Sequence, residues 1–171
     1  TGGAAAVDGA MTSGLMERLL KAGFGFDCSL RIVNSALLYK STEESLSTVD
    51  IACVDLYTGE TRLYKAGAAP TLIKRAGRVG RAESRSLPVG ILRDVGFDRS
   101  VISLKREDII VLLSDGACTD GTDWICHEIE EFQNGTAQQL SEKLAEAAQR
   151  RADPDHPDDI TVMVTVLNKK L

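Results

Sequence analysis

The sequence predicts an α+β domain in which antiparallel sheet is covered by helices. Three observations carry that reading. Apolar residues recur at helical three- and four-residue steps near the N-terminus and again after Thr136. The middle of the chain changes to two-residue alternation, broken by turns rich in Gly and Pro. The C-terminal end returns to a strictly alternating apolar strand. With 171 residues, 43% of them apolar, the chain has the size of a single domain, 1–171, and enough apolar mass for a core. No apolar run approaches the roughly 20 residues of a membrane span. A net charge of −5 argues against nucleic acid or an acidic membrane surface as the main partner, and 5% aromatic residues leave little for stacking single-stranded bases.

The first helix carries Ala4, Val7, Met11, Leu15 and Leu19 on one stripe and stops at Gly23. Gly9 and Gly14 each cost it up to ~1 kcal/mol relative to alanine, which predicts a close approach of another segment there. A second helix (about Asp27–Leu38), with Asp27 as N-cap, carries Leu30, Val33, Leu37 and Leu38. Ser41–Ser45 is a polar connection. Val49, Ile51 and Cys53 alternate along a strand, Thr58-Gly59 turns it, and Glu60–Ala66 returns as the second arm of a hairpin. Gly67–Pro70 breaks that strand. Thr71–Arg75 and Arg78–Glu83 form a further hairpin across Ala76-Gly77, and Leu87-Pro88-Val89-Gly90 is a loop. Val101–Leu104 and Ile109–Leu113 are strands, the second apolar at every residue and so buried on both faces. Thr136 and Gln139 make a capping box opening a helix to about Arg151, with Leu140, Leu144 and Ala148 inward. A Pro- and Asp-rich loop, Asp153–Asp159, leads into the closing strand, Ile160–Leu167.

Two places can carry chemistry. Ile109–Leu113 runs directly into Ser114-Asp115-Gly116, which holds a carboxylate at the rim of the core while the glycine lets the backbone turn away. Pro157-Asp158-Asp159-Ile160-Thr161 puts a carboxylate pair at the mouth of the closing strand. If the two strands are neighbours, Asp115 and Asp158 converge on one hard divalent cation, Mg²⁺ or Mn²⁺. Taken singly, each motif is also what ordinary turn chemistry produces, since Asp-Gly and Pro-Asp favour turns. The four cysteines, Cys28, Cys53, Cys118 and Cys126, have no zinc spacing and read as buried free thiols of a reducing compartment. His156 reads as a loop histidine and His127 as a helix-surface residue. Lys74, Arg75, Arg78, Arg81 and Arg85 read as a solvated hairpin edge that discourages strand pairing. Neither a nucleophile elbow nor a phosphate-binding P-loop occurs.

Ile109–Gly116 followed by Asp158–Thr161 resembles the last two motifs of the metal-dependent, type 2C-like serine/threonine protein phosphatases. The likeness continues through Asn34–Leu38, Ser47–Asp50, Asp55–Gly59, Lys65–Pro70, Ile73–Arg75 and Leu87–Ile91. That combination is specifically similar to the C-terminal phosphatase domain of the stage II sporulation protein E family. The resemblance implies an antiparallel β-sandwich flanked by helices, its first strands lying outside this sequence. It also implies hydrolysis of phosphoserine or phosphothreonine on a phosphorylated anti-anti-sigma factor, in the control of a sporulation sigma factor. Two ions, Mn²⁺ or Mg²⁺, would act, with Asp115 and Asp158 as ligands and Asp159 and Gly116 supporting them. The domain would be cytoplasmic, in a parent anchored to the membrane at the bacterial division septum.

The family places two further metal-binding aspartates upstream, one in an Asp-Gly-Met-Gly-x-Gly loop before a helix. Thr1-Gly2 reads as the tail of that loop and Gly3 as the start of its helix, so Thr1, Gly2 and Gly3 form the expected switch region. Asp8-Gly9 reads as a solvated helix position rather than as a substitute ligand. Two carboxylates alone do not neutralise two dications, which predicts weak or no activity for this chain itself. The alternative is a non-catalytic module that binds a partner or self-associates into a homo-oligomer through an open sheet edge.

Overall fold

The structure, a computed structural model, describes residues 3–40, 47–93, 96–155 and 158–168. The Ser41–Ser45 connection, His156, Thr1 and Gly2 lie outside the described residues. The elements in chain order are α1 (Gly3–Lys21), α2 (Phe26–Lys40), β1 (Val49–Val54), β2 (Glu60–Ala66), β3 (Thr71–Arg75), β4 (Arg78–Ala82), β5 (Asp98–Ser103), β6 (Ile109–Leu113), a 3-10 turn (Asp115–Cys118), α3 (Asp123–Glu131), α4 (Ala137–Arg151) and β7 (Val162–Val166). One sheet has the strand order β1-β2-β5 and the other β4-β3-β6-β7. The α+β expectation holds, with two sheets and four helices among the described residues. Two compact units divide the chain: 1–52 with 62–68 and 84–100, and 53–61 with 69–83 and 101–171.

The first unit is built on α1 and α2. Gly23, at φ +89°, ends α1 as predicted. Its N–H donates to the Leu20 carbonyl and that of Phe24 to the Leu19 carbonyl, each at 3.0 Å, the paired closure that a left-handed residue allows. The buried stripe of α1, however, is Asp8, Thr12 and Met16, and Val7 is 56% exposed. Asp8 is therefore buried, not solvated. Met11, Leu15 and Leu19 of the stripe read in the sequence pack half-buried against the same core, so the packed face takes in both rows and leaves Val7 outside. Gly9 and Gly14 face open space, so no close approach explains them. The first turn of α2 begins at Phe26, with Ser29 N–H on the Gly25 carbonyl, so Asp27 lies inside the turn rather than capping it.

Leu30, Val33 and Leu37 of α2 join Met16, Val49, Tyr64, Ala66 and Val89 in the core of this unit. Asn34 ties α2 to the loop that follows Val89. Its amide donates to the Leu92 and Arg93 carbonyls at 2.9 and 3.2 Å and accepts the Gly90 N–H at 2.8 Å. Lys65 pairs with Asp50 at 2.6 Å.

The second unit holds the four-stranded antiparallel sheet. β6 is apolar throughout because it is flanked by β3 on one side and β7 on the other, with Ile110 opposite both Ile73 and Thr165. Leu72, Val111, Ile125, Ile129, Leu140 and Leu144 make its core, and the predicted capping box at Thr136 and Gln139 is formed. The β3–β4 turn has positive φ at both Ala76 (+48°) and Gly77 (+81°), the twist a two-residue hairpin favours.

The basic stretch is not uniformly a solvated edge. Lys74 is 8% exposed and donates to the carbonyls of Ile129, Glu130 and Phe132 at 2.8, 3.1 and 2.7 Å, closing the C-terminal end of α3. Arg75 pairs with Asp108 at 2.6 Å and Arg81 with Asp123. The cysteines are free as expected but not buried, since Cys28 is exposed and the other three are half-buried.

Candidate metal centre

The site is assembled by the way β6 ends. The β6–β7 ladder runs from Ile109 opposite Val166 to Leu113 opposite Val162, and its next step is Ser114 opposite Thr161. There the Ser114 N–H still donates to the Thr161 carbonyl at 3.0 Å. The return bond differs: the Thr161 N–H donates to the Ser114 hydroxyl at 2.8 Å, not to the Ser114 carbonyl. That carbonyl instead accepts the Ala117 N–H at 3.1 Å and opens the 3-10 turn. The same hydroxyl donates to the Asp159 carbonyl at 2.9 Å. The chain thus leaves the sheet at Asp115 while staying fastened to the segment that precedes β7.

Gly116 completes the join. It is buried, and a Cβ built on it would stand 2.5 Å from the Asp159 carbonyl oxygen and 3.3 Å from the Asp158 carbonyl carbon. The segments bearing Asp115 and Asp158 therefore touch through their backbones. Asp115, Asp158 and Asp159 are exposed. Asp115 accepts the Gly116 N–H at 3.1 Å and Asp158 accepts the Asp159 N–H at 2.9 Å, so each carboxylate is folded over its own following amide.

A groove of about 490 Å³ adjoins this edge, lined by Glu142, Glu146, Gln149, Asp158, Asp159 and Ile160 among others. The glutamates were missed in the sequence, although their spacing of four on α4 marks a common helix face. Carboxylates crowded on one side repel an anionic phosphate unless a cation intervenes. The donors present, exposed carboxylates beside backbone carbonyls, suit a hard divalent ion in kind. Among the described residues, however, no group of three or more His, Cys, Asp or Glu side chains is placed to hold a metal ion. His127 is exposed on α3, as expected. Gly3 opens α1, and its companions Thr1 and Gly2 lie outside the described residues.

The mixed fold of helices and antiparallel sheet matches PP2C phosphatase domains. The solved PP2C phosphatase domain of the cell-fate determinant SpoIIE from Bacillus subtilis, with a fragment of its regulatory domain, matches at a TM-score of 0.80 and 26% identity. The match covers 92% of this chain and 47% of that one. A manganese-presoaked phosphatase domain of the same protein matches at a TM-score of 0.65 and 25% identity, covering 94% of this chain and 73% of that one. Stage II sporulation protein E of Bacillus subtilis (strain 168) is 29% identical over 158 residues, which are 88% of this chain and 19% of that protein. The family model for stage II sporulation protein E matches residues 1–167, and the chain belongs to that family. It spans about a fifth of the curated Bacillus subtilis relative's length. Among the described residues, no helix is long and apolar enough to cross a membrane.

Proposed function

We propose that residues 1–171 act as one protein serine/threonine phosphatase domain, in which Asp115 and Asp158 hold Mn²⁺ or Mg²⁺ and Asp159 and Gly116 support them. The observation that carries this reading is the backbone contact of Gly116 with Asp158 and Asp159, which brings the two acidic segments to one edge. When bound, the ions would neutralise the phosphate oxygens and supply an acidified water as nucleophile. The protein's own part is to hold the two segments that bear the carboxylates together at the rim of a packed sheet. Membership of the stage II sporulation protein E family supports a phosphorylated anti-anti-sigma factor as the substrate and sporulation sigma-factor control as the setting. A parent protein anchored in the membrane at the division septum is consistent with that setting.

The described donors are too few for two dications, so the chain by itself has weak or no activity. The test is phosphatase assay with Mn²⁺ on phosphorylated anti-anti-sigma factor, using this chain and a form extended upstream by some tens of residues. Activity is expected in the longer form and is expected to be lost in Asp115→Asn and Asp158→Asn. Activity in neither form, with Asp115→Asn harmless to partner binding, overturns the proposal in favour of a non-catalytic module.

A further inference from the structure

We propose that Ser114 is a positioning residue that sets the relation between Asp115 and Asp158. The inference rests on the reading of this edge as a metal centre. At the step where β6 gives way to the 3-10 turn, the backbone swings the Ser114 carbonyl toward the turn and away from its ladder partner. The Ser114 carbonyl is committed to the Ala117 N–H, the bond that aims Asp115 out of the sheet. The Thr161 N–H would then be left without an acceptor, and the Ser114 hydroxyl takes the carbonyl's place at 2.8 Å. Its single proton goes to the Asp159 carbonyl at 2.9 Å, one residue from Asp158. One side chain thereby lets the Asp115 arm turn away and keeps the Asp158 arm in register.

Gly116 makes the arrangement possible by leaving no Cβ in the path of the same Asp159 carbonyl. The residue type at position 114 is therefore dictated by geometry. Alanine would take from the Thr161 N–H and the Asp159 carbonyl the partner that joins them. Threonine keeps the hydroxyl on the same carbon and preserves both bonds.

The role is read in two measurements. In the 171-residue chain without metal, amide hydrogen exchange at Thr161 is expected to lose protection in Ser114→Ala and to keep it in Ser114→Thr, while the β6–β7 ladder amides stay protected in both. In the upstream-extended form, Mn²⁺ affinity followed by electron paramagnetic resonance is expected to fall about tenfold or more in Ser114→Ala, the size usual for residues that orient metal ligands. Ser114→Thr is expected to bind as the parent does. Unchanged Thr161 protection in Ser114→Ala, unchanged Mn²⁺ affinity, or a folded Ser114→Thr as defective as the alanine variant would overturn the assignment while leaving the metal-centre reading standing. If Asp115→Asn also binds Mn²⁺ like the parent, the metal-centre reading falls, and this role with it.

Discussion

Gly116 and Asp159 occupy space that no side chain at position 116 could share, since a Cβ there would lie 2.5 Å from the Asp159 carbonyl oxygen. Backbone, not a flexible side-chain end, is what it would strike, so relief requires the two acidic segments to separate. Gly116→Ala is expected to lower stability by about 1–3 kcal/mol in urea unfolding, the range for inserting volume into a packed site. The same variant is expected to weaken Mn²⁺ binding in the upstream-extended form. A variant as stable as the parent would show that this contact is not rigid.

Gly9 and Gly14 give the opposite expectation. Both lie inside α1 with nothing within 4 Å of a built Cβ. Alanine there meets no obstacle and removes the flexibility that glycine adds to the unfolded chain. Gly9→Ala and Gly14→Ala are each expected to raise stability by up to about 1 kcal/mol, measured as a higher urea midpoint. Destabilisation by either would mean that α1 depends on glycine for a reason other than packing.

What could be read in advance was local. The apolar run Ile109–Leu113 and the Thr136–Gln139 capping box depend on neighbours in sequence, and both formed as expected. The meeting of the segments that bear Asp115 and Asp158 was legible only as a conditional, because it needs β6 and β7 to be partners. Ser114 was invisible as a fastening residue, since its role exists only where a ladder and a turn compete for one carbonyl. The face of α1 was legible only in part: Met11, Leu15 and Leu19 pack half-buried as the stripe required, but the deepest row, Asp8, Thr12 and Met16, includes two polar residues that a reading by hydropathy passes over. Lys74 failed because charge was equated with exposure, whereas a lysine stem reaches far enough to bury itself and end on carbonyls.

Lys74 yields a stability prediction. Its ammonium is the donor to three carbonyls at the end of α3, and burial pushes its pKa below the ordinary lysine value against the pull of Glu130 and Glu131. Lys74→Met keeps the stem but leaves those carbonyls without this donor. The loss is expected to be about 1.5–3 kcal/mol, the range for hydrogen bonds to a charged group. A drop within experimental error in thermal unfolding would show that water replaces the ammonium without loss.

Metal addition separates weak from strong binding in this chain. With a dissociation constant of millimolar order, 1 mM Mn²⁺ stabilises the fold by only about 0.4 kcal/mol. That corresponds to a rise of roughly 1–2 °C in Tm for a chain of this size, and chelator is expected to reverse it. A rise well beyond this would require a completed ligand set and would contradict the weak site proposed for this chain.

Asp98 sets an acid limit on the first unit. Burial opposes its ionisation, but the N–H groups of Ser86 and Arg85 and the hydroxyls of Ser86 and Ser84 outweigh that cost and hold its carboxyl below the ordinary value. A carboxylate whose folded pKa is depressed stabilises the fold above the unfolded pKa, about 3.9, and loses that contribution as pH falls through the lower folded value. Asp98→Asn removes the charge that the Ser84–Ser86 segment surrounds. The variant is therefore expected to be less stable than the parent at pH 7, with the gap between them narrowing as the pH is taken below about 4. Parallel stability curves for parent and variant across that range, measured by urea unfolding at each pH, would show that the ionised carboxylate is not what binds β5 to this segment.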